Sequence, residues 1–253
     1  MPRRAREKSK TGIYHVMLRG INRQVIFEED EDFEKFLLVL KDCKEVSGFE
    51  LFAYCLLGNH VHLLLKNGKE ELDQIFKRIG VRYVYWYNFK YGRTGHLFQD
   101  RYRSEPVNDA RYFMAVLKYI LQNPVRARLC EKAEEYQWSS CGDYMTGRGI
   151  TDTAFALSLF GEAGGEAVKA FRGWLEEDDN STDVEMASEV GRLPDREAQR
   201  LIKEICKIKD TTALQRMGTR KRDECITLLK ENGLSIRQIS RLTGISFGVV
   251  RKL

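Results

Sequence analysis

The stretch FELFAYCLLGNHVHLLLK, residues 49–66, holds two apolar runs of strand length separated by Gly58-Asn59. Runs rich in Phe, Leu, Tyr and Val on either side of such a pair predict a β-hairpin closed by a two-residue turn. Upstream, GIYHVMLRG (12–20) alternates as a strand. EDEDFEKFLLVLKDCKEVSG (29–48) then places Phe33, Phe36, Leu37, Leu40 and Cys43 at helical spacing. Downstream, Asn67 and Glu70 have the spacing of a capping box that opens a second helix through DQIFKRIGVRYVYWYNFKYG. A short strand is expected around residues 104–107. Asn108 or Asp109 then caps a third helix, which runs through Leu121 and ends near Asn123 because Pro124 disfavours helical geometry in the residue before it. The order βαββαβα predicts an α+β, ferredoxin-like or RRM-like domain: an antiparallel sheet with helices on one face.

After about residue 145 the pattern weakens, and EEDDNSTDVE (176–185) has the composition of a linker. SIRQISRLTGISFGVVRKL (235–253) follows. Ser235 and Gln238 are spaced as a capping box, Ile236, Ile239 and Leu242 are apolar, a turn falls at Thr243-Gly244, and Ser246 caps a last helix. This predicts a helix-turn-helix, a pattern that other helical pairs share. The expected division is a catalytic domain at 1–145, a helical extension and acidic linker at 146–195, and a small all-α domain at 196–253.

The chain has 253 residues, 43% hydrophobic and 31% charged, with six cysteines. The cysteines lack CxxC spacing and read as reduced thiols of a cytoplasmic protein. No apolar run has the length of a membrane span, and the basic N-terminus is followed by no signal-peptide core. The net charge is only +5, but it is unevenly spread. Residues 66–128 carry 13 Lys/Arg against 6 Asp/Glu, and 196–253 carry 14 against 6, whereas 161–195 hold 3 against 10. Two basic blocks flanking an acidic spacer suit two surfaces for a polyanion, although solvated helix faces give the same count.

His60 and His62 lie two apart on a strand, so both imidazoles share a face while Val61 points to the other. The pair can supply two ligands to one metal ion or be two hydrogen-bonded surface imidazoles. In ARYFMAVLKYILQNPVRAR (110–128), Tyr119 and Asn123 are four apart and hence neighbours on one side of a helix. Asn123 offers a carbonyl oxygen as a third ligand. Tyr119 offers a phenol that needs an activated electrophile to act as a nucleophile at neutral pH. It also fits a half-buried aromatic of an amphipathic helix, and Tyr112, one heptad earlier, is the competing candidate.

The motifs NHVHLLL (59–65), GHLFQDRYRS (95–104) and YILQNPVRAR (119–128), after YHVMLRGINRQVIF (14–27), resemble the single-tyrosine HUH transposases. Within that group the chain is most similar to the REP-associated tyrosine transposases. The resemblance covers roughly residues 10–140. It implies a domain that cleaves and rejoins single-stranded DNA beside a hairpin through a 5′-phosphotyrosine intermediate. It places His60 and His62 at the two HUH histidines, Tyr119 at the nucleophile, Asn123 at the third metal ligand, and Mg²⁺ or Mn²⁺ as the ion. Gly58-Asn59 stands where many relatives have Pro-Asn. Relatives act as monomers or as homodimers.

Hairpin or single-stranded DNA needs cationic grooves and stacking surfaces. The candidate contacts are Arg19, Arg23, Arg82, Arg93, Arg101, Arg103, Arg126 and Arg128, with Arg237 and Arg241 of the C-terminal block for duplex DNA. The aromatics of 83–91 mostly pack the helix against the sheet, and His15 and His96 read as structural or DNA-contacting. Two further readings remain open. One is a DNA-binding regulator with a catalytically silent HUH fold, and the other is a metal-dependent phosphodiesterase that uses water.

Overall fold

The computed structural model describes residues 6–99, 101–162, 164–177, 195–208, 211–232, 234 and 236–252. The chain divides into two compact units, Met1–Val184 and Glu185–Leu253.

In the first unit the strands are β1 (Ile13–Arg19), β2 (Glu50–Leu57), β3 (His60–Lys66) and β4 (Arg103–Val107). They form one antiparallel sheet in the order β2-β3-β1-β4. Helices α1 (Asp30–Ser47) and α2 (Leu72–Lys90) make the two crossovers, and α3 (Ala110–Arg126) follows β4. This is the split βαβ arrangement expected from the order of periodicities.

The layering differs from the expectation. Phe36 and Leu40 of α1 and Ile75 and Ile79 of α2 pack with Val16, Leu18, Val61, Leu63 and Leu65 on one face. On the opposite face Phe113, Val116, Leu117, Ile120 and Leu121 of α3 cover Ile13, Ala53, Cys55, Leu57 and Leu64. Helices therefore cover both faces, not one. The reason lies in β2 and β3, whose residues are apolar on both sides of the pleat and leave water no face to wet.

Two boundaries also move. Pro124 lies inside α3, which continues to Arg126. Proline removes a single donor, and the ladder resumes with Ala127 N donating to Asn123 O and Leu129 N to Pro124 O, both at 2.9 Å. Burial of the Pro124 ring on the apolar side of the helix offsets that one bond. At the start of α2 the cap is Glu71, not Asn67. The Glu70 carboxylate is occupied elsewhere, accepting from Arg78 Nη2 and Ser47 Oγ at 2.7 Å each.

Beyond residue 140, α4 (Cys141–Thr146), α5 (Ala154–Ser158) and α6 (Gly165–Glu176) belong to the same unit. The Tyr144 and Phe171 rings stack at 4.5 Å inside the α3 core. Lys118 Nζ and Gln122 Nε2 donate to Trp174 O (2.7 Å) and Leu175 O (2.6 Å), tying α3 to the last carbonyls of α6.

The second unit holds α7 (Asp195–Cys206), α8 (Thr219–Glu231), α9 (Ile236–Thr243) and α10 (Phe247–Lys252) around Ile202, Leu214, Ile226, Leu229, Ile239 and Val250. Three residues separate α9 from α10. Gly244 turns there with φ +74°, and a Cβ at this position would collide with the Gln215 amide, which donates to Thr243 O at 2.7 Å. Ser235, most of the acidic linker and the side chain of Arg237 lie outside the described residues.

Candidate functional site

The strand register places the chemistry. His60 pairs with Arg19 and Leu57, and His62 with Met17 and Cys55. Directly paired residues share a face, so both histidines lie on the side that α3 covers. His15, two residues before Met17, lies there too, and so do Arg103 and Glu105 of β4.

The rings converge. Centroids of His60 and His62 are 5.0 Å apart, those of His62 and Tyr119 5.5 Å, and those of His15 and Tyr119 5.9 Å. Asn123, 9% exposed, lies one turn beyond Tyr119 and donates from Nδ2 to Tyr119 O at 3.4 Å. The Arg126 guanidinium is 5.3 Å from the centre of the Tyr119 ring. The structure thus brings together His60, His62 and Tyr119, with Asn123 one helical turn beyond Tyr119. The Tyr112 hydroxyl is 3.4 Å from Glu105 Oε2. Burial and that carboxylate push its phenol up from the ordinary value.

Electrostatics keep the imidazoles neutral. His60 is pushed down to about 4, by burial first and by the Arg19 charge second. His62, 2% exposed, lies well below its ordinary value through burial, then through His60, His15 and Arg19. His15 is lowered to about 3 by burial and Arg103. Neutral imidazole is the form that binds metal.

Each histidine of the pair has its Nδ1 engaged by a neighbour. His60 Nδ1 lies 2.6 Å from Asn59 Oδ1, and the Asn59 amide is oriented by Nδ2 donating to Arg23 O at 3.3 Å. An amide oxygen only accepts, so Nδ1 carries the proton and Nε2 presents a lone pair. His62 Nδ1 is likewise engaged, 3.1 Å from His15 Nε2. Among the described residues no group of three or more His, Cys, Asp and Glu is placed to hold a metal. An ion here would draw on the two imidazoles and on the Asn123 amide. Neutral imidazoles and an amide oxygen are a donor set that fits a divalent cation.

The arginines scatter. Arg19 and Arg103 lie on the histidine face, with Arg103 Nη2 2.7 Å from Glu105 Oε1, and Arg126 lies at Tyr119. Arg23, at φ +61°, sits in the loop that braces Asn59, and Arg128 follows α3 at φ +57°. Arg93 donates to Gln24 Oε1 at 3.0 Å, Arg101 lies 3.9 Å from Asp73, and Arg241 is exposed on α9. Arg82 pairs with Asp42 of α1 at 3.5 Å, which puts it on the other face of the sheet from the histidines. Of the α2 aromatics, Tyr83 and Tyr87 are buried, while Tyr85 and Phe89 are exposed.

The structure adds contacts to the sequence reading of two residues. His15 reads from the sequence as structural or DNA-contacting, and the structure adds its contact with His62. Strand alternation alone puts it on the face of Arg19, which was the available signal. Asn59 enters the sequence reading through the turn and the NHVHLLL motif, and an Asn beside a strand histidine is also a ready acceptor for its ring N–H.

Comparison with known proteins gives a family similarity for the first part of the chain. The family described as "Transposase IS200 like" matches residues 8–123, a span that contains β1 to β4, the histidine pair, Tyr119 and Asn123. This chain matches the family over a little under half of its length. Its fold is similar to that of a REP-associated tyrosine transposase bound to a REP hairpin, at 17% identity and a TM-score of 0.50, covering 66% of this chain and 93% of the other. A putative transposase from Deinococcus radiodurans R1 is also similar, at 19% identity and a TM-score of 0.35, covering 48% of this chain and 97% of the other. No curated protein matches the chain. The matched segment and the α4–α6 extension form one compact unit, and no helix among the described residues is long and apolar enough to cross a membrane.

Proposed function

We propose that the chain is a REP-associated-type transposase that nicks and rejoins hairpin-bearing single-stranded DNA, with Tyr119 as nucleophile. The observation that carries this reading is the convergence of the Tyr119 ring on the His60–His62 pair, 5.5 Å from His62, across the face between β3 and α3. The solved REP-associated transposase holds a REP hairpin, which supports the same class of DNA here.

Tyr119 Oη attacks the scissile phosphorus in line. An oxygen–phosphorus bond forms to the phenol, the bond to the 3′ oxygen breaks, and the phenolic proton leaves as the 3′ oxygen gains one. His60, His62 and Asn123 would hold a Mg²⁺ or Mn²⁺ ion, which when bound polarises the phosphate and steadies the leaving oxygen. Arg126, beside the Tyr119 ring, supplies positive charge where the phosphodiester docks. Retention of the bond energy in the 5′-phosphotyrosine lets a second 3′-hydroxyl reverse the step without ATP. Arg19 and Arg103 on the same face, with Arg23, Arg93, Arg101 and Arg128 on the loops beyond it, serve the DNA backbone. The paired Arg82, on the other face, is left out of that surface.

Residues 1–145 carry the chemistry in this account, and 146–195 extend it. Helices α9 and α10, with Arg237 and Arg241, act as a helix-turn-helix toward duplex DNA. The chain works as a monomer or homodimer in the cytoplasm. The test is incubation with hairpin-bearing single-stranded DNA and Mn²⁺. A covalent protein–DNA adduct is expected from the wild type and none from Tyr119→Phe; an undiminished adduct in that variant overturns the assignment.

A further inference from the structure

The comparisons give His15 no role in the site. It is 1% exposed, its Nε2 is 3.1 Å from His62 Nδ1, and its own Nδ1 is buried with no hydrogen-bond partner among the described residues. A residue present only to fill space would be apolar, since a buried ring nitrogen without a partner is destabilising and Phe or Leu has none. His15 is kept in spite of that penalty, and its one hydrogen bond goes to a histidine of the proposed metal pair.

We infer that His15 is a positioning residue that accepts a hydrogen bond from His62 Nδ1–H and thereby fixes His62 in the tautomer whose Nε2 lone pair faces the site. The inference rests on the reading of His60 and His62 as a metal pair and deepens it. Imidazole left to itself favours the proton on Nε2, the tautomer that cannot ligate through that atom. Each histidine of the pair is corrected by a separate acceptor: His60 by Asn59 Oδ1, His62 by His15 Nε2. The two acceptors come from different parts of the chain, the turn before β3 and the middle of β1. They reach the same outcome because both engage Nδ1. Acceptance through Nε2 also requires His15 to carry its proton on Nδ1, so the partnerless nitrogen is the consequence of holding His62 correctly.

The experiment uses the full chain with histidine-selective ¹⁵N labelling. With four histidines in the sequence, the ring nitrogen signals can be assigned by single substitutions. The metal-free wild type is expected to show His62 protonated on Nδ1. His15→Phe should release His62 to the Nε2–H tautomer and weaken Mn²⁺ binding about 10- to 100-fold. His15→Gln, whose amide oxygen can accept, should restore both. Native tryptophan fluorescence checks that each variant is folded. A wild type with His62 protonated on Nε2 overturns the inference, and so does a folded His15→Phe protein that keeps both the wild-type tautomer and Mn²⁺ affinity. Failure of the wider reading looks different: the wild type then binds no Mn²⁺ and forms no adduct, while the tautomer measurement still decides what His15 does.

Discussion

Acidification should destabilise the histidine cluster in the metal-free protein, with a size set by burial. The native-state value of His15 is about 3 against an ordinary 6.5. Between these values the unfolded chain binds a proton that the native ring refuses, so stability is fully present above pH 6.5 and falls as the pH drops toward 3. At pH 5.0 the unfolded state gains RT ln(1 + 10^1.5), about 2 kcal/mol, from this group alone. His60, pushed down to about 4, and His62, pushed further, act in the same direction. Urea unfolding with a chelator, followed by fluorescence of Trp86, Trp138 and Trp174, reports the first unit alone, because all three tryptophans lie there. At a slope of about 2 kcal/mol/M, each 2 kcal/mol lowers the urea midpoint by about 1 M. His15→Phe removes one titrating group, so its loss between pH 7.5 and 5.0 should be smaller than that of the wild type by about 2 kcal/mol. Equal losses in the two proteins would refute the reasoning that His15 is buried and neutral.

Further outcomes follow from other contacts. Asn59→Ala, which removes the acceptor of His60 and the brace to Arg23, should weaken Mn²⁺ binding about 10- to 100-fold in calorimetric titration; unchanged affinity would contradict the tautomer assignment. Arg126→Gln should slow adduct formation about tenfold or more with little change in melting temperature, and an unaltered rate would remove Arg126 from the site. Tyr144→Phe leaves Phe52 O without its 2.7 Å donor in the α3 core, at a cost of about 1–2 kcal/mol, read as a melting point lower by about 2–4 °C per kcal/mol. Arg241→Ala should reduce the slope of log affinity against log salt for duplex DNA by about 1, and an unchanged slope would exclude α9 from that interface.

The hairpin β2-β3 and the order of elements were legible because strand and helix periods are local signals, and Gly58-Asn59 marked the turn between two apolar runs. His60, His62, Tyr119 and Asn123 were legible through spacing: two apart on a strand and four apart on a helix each guarantee a shared face. What stayed hidden depends on contacts distant in sequence. The side of the sheet that α3 covers is set by packing of Phe113 and Leu117 on Ala53 and Leu64, which no local period encodes. Pro124 read as a terminus because its steric rule is local, whereas the burial that overrides it is tertiary. His15 lies 47 residues from His62, and only the β1-β3 register brings them together.

The most direct test of the account is the position of the covalent bond. Wild-type protein is incubated with hairpin-bearing single-stranded DNA and Mn²⁺, digested with nuclease and trypsin, and the nucleotide-bearing peptide is sequenced by mass spectrometry. The expected result is a single 5′-phosphonucleotide on Tyr119. A nucleotide on Tyr112, or cleavage that releases free 5′-phosphate and persists in Tyr119→Phe, would contradict it.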